Sequence, residues 1–264
     1  MSTSSDGPMI LQSPSLARHP EVVHGFCGRP GGVSPTPFDS LNLSAAVGDD
    51  PSNVRANLER VAAQTGVAAD RFVFMNQVHE NAVRVVHERD LHRYRDAWPE
   101  VDALVTDRKG LALCVRTADC LPVLLYDKQA GAVAAVHAGW RGIAGGVLQA
   151  TVGELSSRFG ASPKRVYAAL GPCIRPCCYR VGQDVAWAFR EYRTDPGVLA
   201  PASGKGGWTL DLAAAARSIL RKLGVKSDRI DSMDLCTSCE RKEFFSHRRD
   251  GAPTGRMLNF VGMW

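Results

Sequence analysis

Short apolar runs, several with almost no polar position inside them, alternate along the chain with clusters of turn-forming residues. "RFVFMNQVH", "AVRVV", "DALVTD", "LALCVRTAD", "PVLLYD" and "AVAAVHAG" are too short for stable helices and rich in β-branched residues, so each predicts a strand. Runs that are apolar throughout predict burial on both faces of a sheet. "VVHGFC" ahead of them, and "RVYAALG", "RIDSMDLC" and "RMLNFVGMW" after them, read the same way. Helical spacing of apolar positions appears in "DDPSNVRANLERVAAQTG", where Asp50 is placed as a cap and Pro51 in the first turn. It recurs in "GIAGGVLQATVGELSSRFG", "GQDVAWAFREYR" and "LDLAAAARSILRKLGV". "GRPGGVSPTPFDSLNLS" reads as a long loop, and loops of that length inside a compact domain are often functional. No repeat, heptad or linker interrupts the pattern. It predicts one α/β domain over residues 19–264, preceded by a polar, Ser-rich stretch over 1–18 expected to be a disordered leader.

Composition narrows the function classes. The 264 residues are 45% hydrophobic and 22% charged, with 32 Lys+Arg against 27 Asp+Glu. That excess forms no basic block, so it suits a site for phosphate-like anions better than a nucleic-acid surface. No apolar run approaches the ~20 residues that span a bilayer, and nothing resembles an export signal. We therefore expect a cytoplasmic protein without membrane partners. Its eight cysteines should serve as thiols, thiolates or metal ligands rather than disulfides.

Three apolar segments end in metal-capable side chains: "FVFMNQVH" at His79, "LALCVRTADC" at Cys120 and "AVAAVH" at His137. They lie too far apart for a local finger, so only a sheet that gathers strand ends could unite them. Two imidazoles and a thiolate suit zinc and would leave a fourth position for water or substrate. Asp119 could orient a ligand from behind. Arg141, in "HAGWRG", could hold an anion beside the metal, and Gly139 and Gly142 would allow close backbone approach. If the strand ends do not converge, the same His and Cys residues are ordinary packing groups. "CTSC" (Cys236, Cys239) has the spacing of half a zinc ribbon or of a redox pair. "CIRPCC" (Cys173, Cys177, Cys178) supplies no regular partner for it, leaving a second metal site and structural thiols both open. Gly139, Gly142 and Gly145 step by three and do not match the dinucleotide fingerprint.

The segments "NQVH", "DALVTD", "TADCLPVLLYD", "VHAGWRG", "LGPCIRPCCYRVG", "LDLAAAARSIL" and "CTSCERKEFFSHRRDGAPTGRMLNFVG" occur in this order. From about residue 20 onward the chain closely resembles the YfiH/laccase-domain family. Its members are labelled polyphenol oxidase, multicopper polyphenol oxidase or purine nucleoside phosphorylase. The resemblance implies a mixed α/β sandwich with helices packed outside, related to a bacterial toxin deamidase with a Cys–His pair. It implies zinc on His79, Cys120 and His137, with copper possible by substitution. It also implies that the segment around Asn42 and Ser44 lines the pocket, which makes both candidate contacts for substrate hydroxyls. In "SHRRDG", one of Arg248 and Arg249 would bind phosphate and the other would pair with a carboxylate. Arg248 is taken as the candidate for phosphate.

The activities implied by that resemblance are phosphorolysis of adenosine, inosine and methylthioadenosine to base and ribose 1-phosphate, and deamination of adenosine to inosine. The partners would be purine nucleosides and phosphate, with the oligomeric state open. Catalytic roles then fall to Cys120, His137 and Arg141. The alternative is a cysteine-type amide hydrolase acting in peptidoglycan-precursor editing, with Cys120 as nucleophile and His137 or His79 as base. A purine or metal sensor without turnover is a third reading. Laccase-type oxidation fits least. Several copper centres need many histidines, largely in His-x-His pairs, and this chain has seven histidines and no such pair.

Overall fold

The computed structural model describes residues 7–90, 97–192, 194–204 and 206–264. Two mixed sheets form its centre. One has five strands in the order β1 (Ile10–Leu11), β2 (Val22–Cys27), β14 (Met257–Met263), β6 (Ala112–Thr117) and β3 (Phe72–Val73). The other has six: β13 (Ile230–Ser232), β9 (Tyr167–Leu170), β7 (Leu121–Asp127), β8 (Ala132–Ala138), β5 (Ala103–Thr106) and β4 (Val83–Val85). A small third sheet joins β10 (Arg180–Val181), β12 (Trp208–Leu210) and β11 (Leu199–Pro201).

The two large sheets pack face to face. Phe26, Leu113, Val115 and Val261 of one meet Leu104, Leu124, Tyr126 and Val133 of the other in a continuous buried layer. The far side of the six-stranded sheet, with Val105, Val123, Leu125 and Val136, is covered by Val147, Leu148, Val152 and Leu155 of one helix and Ala215, Ala216 and Ile219 of another. These helices are Val147–Phe159 and Leu212–Lys222. The helix Pro51–Thr65 covers the far side of the five-stranded sheet through Val61, against Cys114, Leu258 and Phe260. The result is a mixed α/β sandwich with helices outside, as the resemblance implies. Every residue of β7 and β8 is buried, which explains their lack of polar alternation. At about 1.5–3 kcal/mol per buried large aliphatic side chain, this layer is the main source of stability.

The helix Pro51–Thr65 follows its sequence signals. The Asp50 side chain accepts the Ser52 N–H, Pro51 opens the first turn, and Gly66 ends the helix at a φ of 73°. Its buried Asn57 holds the long loop, donating to Ser34 Oγ and to the carbonyls of Ser40 and Asn42 and accepting the Val33 N–H.

Three expectations need correction. The leader expected over 1–18 is ordered from residue 7. Ile10–Leu11 pair with β2, and Ser13 and Ser15 bond the Asp231 carboxylate at 2.6 and 2.7 Å. Leu16 is fully buried. Residues 1–6 lie outside the described residues. Second, "FVFMNQVH" is a strand only over Phe72–Val73, and His79 sits in a loop at a φ of 63°. Third, "GIAGGVLQATVGELSSRFG" divides into helices Trp140–Ala144 and Val147–Phe159, because Gly146 adopts a φ of 88° between them. Glycine accepts that conformation without strain.

Candidate functional site

Strand β8 carries His137 as its penultimate residue, and β7 begins directly after Cys120. The two strands are antiparallel neighbours with Pro122 opposite His137, so both donors come to one end of the six-stranded sheet. His79 arrives from the loop ahead of β4. The donor atoms of His79, Cys120 and His137 all lie within 4.8 Å of one another. The two imidazole rings meet edge to face at 4.8 Å between centroids.

Asp102, fully buried just ahead of β5, organises two of the three donors. Its carboxylate lies 2.7 Å from His137 Nδ1, which leaves Nε2 to face the cluster. It also accepts the backbone N–H groups of Val78, His79 and Glu80 at 3.2, 3.0 and 2.7 Å, fixing the loop that presents His79. Burial opposes its charge, but the hydrogen bonds from His137 and the Glu80 and His79 amides outweigh it and hold the carboxyl below the usual range. Carboxylate support behind a histidine is the usual arrangement around a bound metal. The role that "TADC" suggested for Asp119 therefore belongs to Asp102. Asp119 instead accepts Thr237 Oγ1 and the Arg248 N–H, both at 2.6 Å.

Burial raises the Cys120 thiol, but the neighbouring His137 charge and hydrogen bonds from both histidines outweigh it and draw it down to about 6. Without metal, Cys120 and His137 form a thiolate–imidazolium pair; release of that one proton leaves a thiolate and two imidazoles, one anchored, a set that fits a divalent metal. The glycines of "HAGWRG" make this packing possible. A Cβ on Gly139 would stand 3.2 Å from Cys120 Sγ and 3.4 Å from His79 Cδ2, and one on Gly142 would stand 2.9 Å from the Glu80 carbonyl oxygen.

The cluster opens into a cavity of about 390 Å³. Three arginines line it, Arg116, Arg248 and Arg256, together with Gln77, Tyr179 and His247. Among the described residues, none of these arginines forms an ion pair with a carboxylate. Each is positioned by backbone carbonyls: Met75 for Arg116, Arg180 for Arg248, and Thr254 and Gly255 for Arg256. Burial raises the Tyr179 phenol to about 12, so it stays protonated as a donor at neutral pH.

The other sequence candidates divide. Arg248 lines the cavity, while Arg249 pairs with Asp250 at 2.7 Å. Arg141 is exposed and stacks over the Trp140 ring at 4.6 Å; it is not a lining residue, although its charge acts on Tyr179, which is. Asn42 and Ser44 are buried outside the cavity. The Asn42 amide donates to the Ser44 carbonyl and the Asp49 carboxylate and accepts the N–H groups of Ser44 and Arg256. Asn42 thus reaches the site only through the backbone beside Arg256. Sequence reasoning missed Asp102, Arg116 and Arg256. Each is a charged residue inside or directly beside an otherwise apolar strand, and that placement is a usable signal.

Known proteins share the sequence and the fold over nearly the whole chain. A purine nucleoside phosphorylase, YlmD, of Bacillus subtilis is 36% identical over 92% of this chain and 89% of its own length. An adenosine deaminase, RL5, from an unknown prokaryotic organism is 38% identical over 96% of this chain and 98% of its own. The crystal structure of YlmD from Geobacillus stearothermophilus superposes with a TM-score of 0.89 at 36% identity, covering 99% of this chain and 98% of that one. The family described as multi-copper polyphenol oxidoreductase laccase matches residues 23–264, and the chain belongs to that laccase-domain (YfiH) family.

Proposed function

We propose that the protein is a zinc-dependent purine nucleoside phosphorylase that also deaminates adenosine, with adenosine, inosine and methylthioadenosine as substrates. The observation that carries this reading is the juxtaposition of the His79–Cys120–His137 cluster with three carboxylate-free guanidinium groups in one cavity. The cavity volume falls within the range of small-molecule sites, about 300–1,000 Å³. The names of the relatives support nucleoside chemistry.

Zinc held by His79, Cys120 and His137 would supply Lewis-acid polarisation of a bound substrate group or water. The chain's own residues account for the rest. Arg248, Arg256 and Arg116 bind phosphate through charge-assisted hydrogen bonds and offset its charge as it attacks the sugar. Tyr179 donates a hydrogen bond to the substrate. Both Asp119 oxygens are engaged, so it positions Thr237 and Arg248, which leaves His247 and Tyr179 as lining groups able to carry a proton. Arg141 lies outside the lining, so the lining arginines are taken ahead of it as the phosphate ligands.

The donor set argues against the oxidase chemistry in the family's description. Two imidazoles and one thiolate make a single mononuclear site, and copper there would be a substitute ion. A second reading, amide hydrolysis with Cys120 as nucleophile and His137 as base, is favoured by the proximity of the two side chains. Alkylation separates the readings. A metal-bound thiolate resists iodoacetamide until chelator is added, whereas a free nucleophile reacts at once.

The decisive experiment incubates metal-loaded protein with adenosine, with and without phosphate, and identifies products by mass spectrometry. Adenine and ribose 1-phosphate are expected only with phosphate, and inosine in both tubes. Neither product from metal-loaded protein would overturn the nucleoside reading.

A further inference from the structure

The "CIRPCC" and "CTSC" segments take no part in the reaction site, yet the fold brings them together. Strands β9 and β13 run parallel, and the pairing continues past their ends through a bridge between Cys173 and Cys236. The Cys173 N–H donates to the Leu235 carbonyl at 3.3 Å, and the Thr237 N–H donates to the Cys173 carbonyl at 3.1 Å. Beyond this zipper, the sulfurs of Cys177, Cys178, Cys236 and Cys239 all lie within 4.8 Å of one another. Cys239 Sγ is 3.6 Å from Cys177 Sγ and 3.4 Å from Cys178 Sγ.

These separations match a tetrahedron of thiolates. Four sulfurs about 2.3 Å from a central zinc stand about 3.8 Å apart along each edge. A disulfide would need about 2.05 Å.

We propose that Cys177, Cys178, Cys236 and Cys239 hold a second, structural zinc ion. Its task is to fasten two loops, one lining the cavity and the other holding Asp119 and the turn that presents Arg248. The first loop carries Ile174 and Tyr179. The second carries Thr237, which donates to Asp119, and its Thr237 and Ser238 carbonyls receive the Arg249 guanidinium from the turn that presents Arg248. The four thiolates leave no open position, so the ion positions these residues and takes no part in the reaction.

The test is a metal count on full-length protein purified under reducing conditions, by inductively coupled plasma mass spectrometry. Two zinc ions per chain are expected in the parent, one in Cys120→Ala, one in Cys239→Ser and none in the double variant. A Cys239→Ser protein with the parent's zinc content would overturn the proposal. Should that variant fail to fold, alkylation of Cys120→Ala gives a separate readout, because Cys177 and Cys239 are exposed. Protection that is lost on adding chelator supports the site. Immediate alkylation overturns it, as does an intact mass lower by about 2 Da for each disulfide. The count does not depend on which reaction the protein catalyses.

Discussion

Asp102 holds His137 from behind at 2.7 Å and, with the same carboxylate, gathers three consecutive amides of the loop that carries His79. One buried charge thus sets the orientation of two donors that lie far apart in the chain. Asp102→Asn keeps the shape and removes the charge, so metal affinity should fall about 10–100-fold with the fold intact. Asp102→Ala also leaves the amides unpaired and should cost roughly 3 kcal/mol or more of stability. Chelator competition and denaturant unfolding measure the two effects separately. Undiminished metal affinity in Asp102→Asn would remove this residue from the site.

Arginine variants test where the anion sits. Arg248 lines the cavity and Arg141 does not. Arg248→Ala should raise the KM for phosphate about tenfold or more, the loss of one hydrogen bond between charged groups. Arg141→Ala should change it less than about threefold. The reverse order would place the anion outside the cavity, on the exposed face of the Trp140–Ala144 helix.

Gly139 sits at a φ of −70°, which any residue adopts, so alanine there strains no backbone. Its methyl group would press on Cys120 Sγ and His79 instead. Gly139→Ala should therefore retain the parent's unfolding midpoint without metal while losing about tenfold in metal affinity. A drop in metal-free stability would show that the glycine serves the fold rather than the cluster.

His24 lies in β2, away from the cavity, and is 1% exposed. Its Nε2 accepts the Ser13 N–H, so the neutral ring carries its proton on Nδ1, which has no hydrogen-bond partner among the described residues. Burial lowers its pKa to about 4. Protonation would set a second N–H against the Ser13 amide. The unfolded chain binds that proton near pH 6.5 and the folded chain only near 4, so stability is intact above 6.5 and declines as pH falls between them. The loss saturates at about 3 kcal/mol. Urea midpoints measured from pH 7 to pH 4 should show this decline, and a midpoint that stays level across the interval would contradict it.

The sequence was most informative where local pattern and tertiary placement coincide. Cys120 stands directly before one unambiguous apolar strand and His137 near the end of another, so both could be placed at strand ends from the chain. Their meeting, by contrast, depends on the antiparallel pairing of β7 with β8. His79 was identified as a donor although its segment is mostly loop, because Asp102 rather than strand pairing holds it. Ser13 and Ser15 look like leader residues in composition, but they bond a carboxylate more than two hundred positions away, a contact no local window contains. Asn42 belongs to a recognisable motif, yet the motif does not reveal that its amide turns inward to close a loop. Arg141 follows the histidine by four positions, but the short helix that begins at Trp140 carries it out to the surface.

The position of β14 has a consequence for how the molecule is made. It is the latest strand in chain order, yet it lies between β2 and β6, with Phe260 opposite both Gly25 and Cys114. On the ribosome, β2 and β6 emerge long before the strand that joins them, leaving two unpaired edges and an open apolar face. The five-stranded sheet closes only when residues 257–263 are delivered, long after β2 and β6. A frameshift or nonsense change just ahead of Met257 would leave the residues of the metal cluster in the chain but remove the middle of the sheet beneath them. Such a product should go to proteolysis or aggregation rather than survive with partial activity.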